Sequence, residues 1–197
     1  MILEPTLTRK DQIYQVAERL FSERGYHATT IREIARALDL EGGSLYSHIS
    51  SKQALLYEIV LRGSQQFLQA AHEVTEAGGP AHVQLRELMR RHLAIVAEST
   101  ARAAVYFHEW WHLDTEHQAI IKRHRDAYEA VFRRVIRLGI ANGEFAPQDE
   151  RLVSLQILSL LNWTYQWYNS TGSLSADDIA QHFYLLVMRG LEPRSDT

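Results

Sequence analysis

The run His108-Glu109-Trp110-Trp111-His112 spells H-E-x-x-H. On a helix that spacing sets two imidazoles on one face to hold zinc, with the glutamate as general base for hydrolysis. Such chemistry needs a third ligand. The chain offers no Gly-containing extension ending in a third histidine, and no helix-borne glutamate at the appropriate distance downstream. With ten histidines and 24 acidic residues, a chance match needs no special cause, and the flanking tryptophans point to packing. The sequence therefore predicts no enzyme, no catalytic residue and no cofactor. A metal-binding protein or metallohydrolase built on His108 and His112 is kept only as a distant alternative, as is an incidental metal site that adds His117 or His124. Cysteine is absent, which removes disulfides, thiolate nucleophiles and cysteine zinc sites.

The elements that must position any functional side chain read as helices throughout. Between Asp11 and Arg24, Ile13, Val16, Ala17, Leu20 and Phe21 recur on one face of a 3.6-residue period. Gly25 stops that helix and lets Tyr26 fold back on its last turn. Thr29 or Thr30 caps a second short helix, with Glu33 three residues after Thr30 as a capping box requires. A third begins near Gly43 and buries Leu45 and Ile49. A fourth restarts at Ser50 or Ser51, with Leu55, Leu56, Ile59 and Val60 on one side, and runs toward Glu76. Ala77-Gly78-Gly79-Pro80 is the clearest linker. Further helices follow from Leu85 to Val96, from Arg102 to His112, from Asp114 to Asn142, from Pro147 to Ser170, and from Ser175 to Gly190. The expected fold is all-α with about nine helices. A hydrophobic fraction of 46% suffices for a core, and a formal net charge of −3 gives no basic signature for nucleic acid. No signal-peptide pattern or membrane-length apolar run is visible, so the expected setting is cytoplasmic, without a membrane partner.

Residues 13–60 carry the most specific pattern: Phe21, Gly25-Tyr26, Thr29-Thr30, Ile34-Ala35, Gly43-Ser44-Leu45-Tyr46, His48, Ser51-Lys52 and Leu55-Leu56. At this spacing they resemble the N-terminal signature of the TetR family of transcriptional regulators. The resemblance implies a three-helix helix-turn-helix DNA-binding domain over residues 1–52 and a helical ligand-binding and dimerisation domain over 53–197. A recognition helix must lay its first turns in a major groove roughly 12 Å wide, which small residues such as Gly42, Gly43 and Ser44 permit. Tyr46 and His48 then project toward base edges or phosphate. Thr29 or Thr30, with the backbone N–H groups of the second helix, is expected to clamp a phosphate. Lys52 adds a point charge, and Arg9 and Lys10 a short basic arm. Glu41 departs from the small or basic residue usual beside this turn, which bears on the operator sequence. Ile49 stands where phenylalanine is commoner.

In the second half, Leu161-Asn162-Trp163-Thr164-Tyr165-Gln166-Trp167-Tyr168, with Glu109-Trp110, Arg125-Asp126-Ala127-Tyr128 and Gly143-Glu144-Phe145, resembles the subgroup of repressors of fatty-acid and phenylacetate degradation. That resemblance implies an acyl-CoA or aryl-CoA thioester as inducer. Trp163 and Trp167 would share one helix face, with Asn162 as a hydrogen-bonding handle. Phe107, Trp110 and Tyr128 would form the opposite wall, and Arg86, Arg90, Arg91, Arg123 and Arg125 are candidates for the CoA phosphates. The aromatic stripe reads equally as core or interface packing, and a drug- or other metabolite-responsive regulator is the nearest alternative. The last two helices resemble the pair that forms the family's homodimer interface. Two-fold symmetry would present two recognition helices to a palindromic double-stranded operator.

Overall fold

Ile13, Ala17, Leu20 and Phe21, one stripe at helical spacing, are all buried along α1 (Arg9–Arg24) of the computed structural model, which describes residues 8–191. Thr8 starts this helix by accepting the Asp11 N–H, and Gly25 ends it at φ +84°. Tyr26 folds back so that its ring meets Phe21 edge-on at 5.4 Å, as expected. Next come α2 (Ile31–Arg36), α3 (Gly42–Leu45) and α4 (Lys52–Ala77). Ser51 Oγ caps α4 by accepting the Ala54 N–H. Gly78 and Gly79, both at positive φ, then break the chain at the expected linker. The remaining helices are α5 (Ala81–Glu98), α6 (Thr100–His108), α7 (Thr115–Ala141), α8 (Glu150–Asn162) and α9 (Ala176–Leu191). Two 3-10 turns, Trp110–His112 and Trp163–Gln166, complete the list, and no strand occurs among the described residues.

The chain forms two compact units. One holds the described part of Met1–Gly63 together with Ala101–Ile121; the other holds Ser64–Thr100 and the described part of Lys122–Thr197. The first unit therefore reaches beyond residue 52 and takes in α6 and the turn after it. The cause is a set of contacts that sequence cannot show. Glu18, nearly buried in α1, pairs with Arg102 of α6 at 3.0 Å, and the Tyr26 N–H donates to Glu109 at 2.9 Å. Gln53 at the start of α4 donates to the His112 carbonyl at 2.9 Å.

In the second unit, Leu85, Leu88, Met89, Leu93 and Val96 of α5 are buried with Phe132, Val135 and Ile136 of α7. Glu144 accepts the backbone N–H groups of Ala81 and His82, capping α5 from the turn after α7. Phe145 lies directly over Gly139, where a Cβ would stand 2.2 Å from its ring. Two expected boundaries need correction. The eighth helix begins at Glu150 rather than Pro147, because the Asp149 carboxylate accepts the Arg151 and Leu152 N–H groups and caps it there. It ends at Asn162, and the aromatic run beyond is a 3-10 turn rather than a continuing α-helix to Ser170. No helix among the described residues is long and apolar enough to cross a membrane.

Candidate functional site

Leu45 and Ile49 are buried while Ser44, Tyr46 and His48 are exposed, so α3 and the turn after it present one face outward from a fixed apolar base. Tyr46 is 57% exposed, which is unusual for a ring this large. A Cβ built on Gly43 would meet nothing within 4 Å. The fold itself makes no demand for glycine there. The turn leading to α3 is held by Asp39 at φ +53°, a left-handed conformation that short polar side chains tolerate, and by the Leu40 N–H to Ala35 carbonyl bond of 2.9 Å.

The two threonines before α2 have separate duties. Thr30 is the cap: its Oγ1 accepts the Glu33 N–H at 3.2 Å, and the Glu33 carboxylate accepts the Thr30 N–H at 2.8 Å. That hydrogen bonding lowers the Glu33 pKa, and Arg24 approaches the same carboxylate at 3.1 Å. Thr29 is buried instead, with its hydroxyl between the carbonyls of Leu20 (3.1 Å) and Gly25 (3.0 Å). It ties α1 to the turn and does not face solvent, which corrects the phosphate role expected for it. Arg9 and Lys10 form the first turn of α1 and not an arm, and Arg9 donates to the Leu38 carbonyl at 3.0 Å. The Lys52 Nζ stands 4.2 Å from the Tyr26 ring centroid. Burial lowers the Lys52 pKa and Glu33 draws it back up.

The H-E-x-x-H residues do not share a helix. α6 stops at His108, and His112 belongs to the following 3-10 turn. Glu109 is engaged with Tyr26, and no cluster of three or more histidine or acidic side chains among the described residues is placed to hold a metal.

A profile described as "Bacterial regulatory proteins, tetR family" matches residues 13–59, and one described as "Tetracyclin repressor-like, C-terminal domain" matches residues 78–191. The chain belongs to the TetR family. It is a transcriptional regulator with a helix-turn-helix DNA-binding segment, not an enzyme. The HTH-type transcriptional repressor KstR2 of Rhodococcus jostii is 26% identical over 93% of this chain and 91% of its own. A tetR-family regulatory protein from Rhodococcus RHA1 superposes with a TM-score of 0.86 at 32% identity, over 96% of this chain and all of that one. AibR, solved in complex with isovaleryl coenzyme A and operator DNA, gives a TM-score of 0.81 at 26% identity, over 90% of this chain and 97% of its own.

The TetR-type second half arranges the expected ligand residues differently from a single aromatic wall. Tyr128 is buried, its hydroxyl 3.1 Å from Nδ1 of His92, and its ring packs near Phe67 at 5.5 Å. Burial pushes the His92 imidazole down to about 3, so it is neutral across the physiological range. Sequence reasoning missed His92 and Phe67. The available signal was a lone histidine in the apolar stripe of α5. Trp163 and Trp167 are 58% and 48% exposed, because the 3-10 turn rotates them off the inner face of α8. Trp167 meets Phe183 of α9 edge-on at 6.2 Å, and Asn162 is half-buried at the end of α8. Phe107 and Trp110 belong to the other unit, where Trp110 is buried with its ring centroid 3.8 Å from that of Trp111. Arg90 and Arg91 are already ion-paired with Glu87, and Arg91 also with Glu73, so neither is an idle cation awaiting a phosphate.

Proposed function

We propose that this chain is a transcriptional repressor that binds a palindromic operator as a homodimer and is released by a CoA thioester. The observation that carries the DNA half is the face of α3 and its following turn: Gly43, Ser44, Tyr46 and His48 outward over buried Leu45 and Ile49. Thr30 and Lys52 flank that face, and with it they make up the proposed DNA contacts. Within this proposal residues 1–52 read the DNA, residues 53–197 sense the ligand and dimerise, and the setting is cytoplasmic. The dimer reading is supported by α8 and α9. Leu152, Leu155, Leu185 and Leu186 are all exposed, and an open groove of about 300 Å³ is lined by Val153, Ile157, Leu160, Leu186, Val187 and Leu191. So much apolar surface on two helices marks an interaction site.

The inducer reading is supported by the likeness to AibR, whose solved complex contains both isovaleryl coenzyme A and operator DNA. Within this reading the ligand sits beside Tyr128 and His92, which are buried together with Phe67. A drug- or other metabolite-responsive regulator is the second reading, favoured by the ion pairs that already engage Arg90 and Arg91. Titrating acyl- and aryl-CoA esters into the protein–DNA complex distinguishes the two: thioesters release the DNA, and Tyr128→Phe blunts the response. Release by free acids or drugs with no effect of thioesters overturns the inducer assignment. For the DNA half, Tyr46→Ala and Lys52→Ala lose operator binding yet remain folded, and unaltered binding by both would remove it.

A further inference from the structure

His27 lies in the turn between α1 and α2, and His112 closes the 3-10 turn after α6, 85 residues away in sequence. Their rings nevertheless meet: Nε2 of His27 is 3.0 Å from Nδ1 of His112, with ring centroids 4.3 Å apart. A contact of that length between imidazole nitrogens requires one ring to donate and the other to accept. Two neutral rings satisfy it in one tautomeric arrangement, and so does one imidazolium beside one neutral ring. Two imidazoliums cannot, because both nitrogens are then donors and the charges repel.

Glu109 Oε2 is 3.5 Å from the other nitrogen of His112, and the same carboxylate oxygen accepts the Tyr26 N–H. The Tyr26 ring stacks on His112 at 5.7 Å and 15°, and the Lys52 ammonium stands over that same Tyr26 ring. At the start of α4, Gln53 accepts from the Tyr26 hydroxyl and donates to the His112 carbonyl. A further proton can enter only at whichever of the two facing nitrogens accepts, and its arrival breaks the contact. Both histidines are exposed, so water delivers it directly.

We propose that His27 and His112 form a proton-operated clasp within the unit that holds α1 to α3, shut while one of the two facing nitrogens accepts and opened when acid protonates both rings. Opening frees the turn that carries Thr29 and Thr30 from the segment leading into α7. It also disturbs the Tyr26 ring beneath Lys52, so acid loosens the groups proposed to meet phosphate. The clasp itself does not depend on the inducer or on the DNA reading.

Hydrogen exchange of the full chain, corrected for intrinsic rates, tests it at pH 7.5 and 5.5. Peptides covering residues 25–30 and 109–114 lose protection together at the lower pH, by about three- to tenfold, the range for loss of one hydrogen bond. In His27→Gln the side-chain amide can still meet Nδ1 of His112, as donor or acceptor, but takes up no proton, so the step disappears. A peptide around His92, which responds to acid for its own reason, changes alike in both proteins. Equal protection of the two turns at both pH values, or an unchanged step in His27→Gln, overturns the clasp. Should that variant not fold, nitrogen NMR of the unsubstituted protein decides: a coupled titration of the two rings supports it, and two independent titrations overturn it.

Discussion

Gly43 has open space where a side chain would stand, while Leu45, two positions on, has none. A glycine in a helix that needs neither positive φ nor close packing is a local loss of stability of about 1 kcal/mol relative to alanine. The proposed close approach of DNA at this position accounts for it. Gly43→Ala should therefore leave the melting temperature unchanged or raise it, while operator affinity falls by about tenfold, close to 1.4 kcal/mol. A thermal melt beside a gel-shift titration checks both halves, and a fall in stability would show that the glycine serves the fold. Thr29 is the opposite case. Its hydroxyl lies between two carbonyls in a buried position, so Thr29→Val should destabilise the protein by about 1–2 kcal/mol. Any loss of DNA binding should then be recovered once the variant is kept cold enough to remain folded.

Among the elements, α6 and the end of α7 show where packing restricts the residue allowed. The Glu18 carboxylate is nearly buried against Arg102. Removing the guanidinium in Arg102→Ala leaves a poorly solvated charge and should cost about 2–3 kcal/mol in denaturant unfolding. Gly139→Ala forces a methyl group into the Phe145 ring, and overpacking of this kind costs about 1–3 kcal/mol. Most helices were legible because a 3.6-residue apolar stripe marks them, and polar caps mark several of their starts, as with Thr30 and Glu33 and with Ser175 and Asp178. The 3-10 turn at Trp163 was not legible. Leu160, Leu161, Thr164 and Trp167 continue the helical period, and periodicity does not register a backbone that tightens by a fraction of a residue per turn. For the same reason the sequence placed Trp163 and Trp167 on an inner wall. The membership of α6 in the first unit was hidden for a different reason: Glu18–Arg102 and Tyr26–Glu109 join residues more than eighty positions apart. The proposed DNA face, by contrast, lies within one short stretch, so its buried and exposed residues could be assigned from sequence, Thr29 excepted.

For the whole molecule, acid and self-association are the two measurable variables. His92 is neutral when folded down to about pH 3, whereas in the unfolded chain it takes up a proton below about 6.5. The unfolded state then binds the extra proton, so stability is full above that range and falls as pH drops. The loss reaches on the order of 2 kcal/mol by pH 5. Glu87 and Glu144 act lower. Arg90 holds the Glu87 carboxyl at about 2 against the effect of burial; at Glu144 burial raises the pKa, but the N–H groups of His82 and Ala81 outweigh it and bring it to about 2. Their stabilisation is complete above the ordinary carboxylate range and disappears as pH falls toward 2. His92→Phe should accordingly flatten the stability profile between pH 7 and 5 and leave the steeper fall below pH 4.5. The proposed self-association rests on a different surface. Leu186 is 62% exposed on α9 beside the α8 groove, so Leu186→Glu disturbs little within the subunit. In the proposed dimer the same change buries a carboxylate twice by symmetry, and light scattering should then report a monomer with an unchanged melting profile at low concentration. One helix-turn-helix reads only one half-site, and two half-sites about 34 Å apart need the two-fold pair. The monomer should therefore lose at least a hundredfold in operator affinity while its nonspecific DNA binding changes little. A variant that stays dimeric and binds normally would place the subunit contact away from α8 and α9.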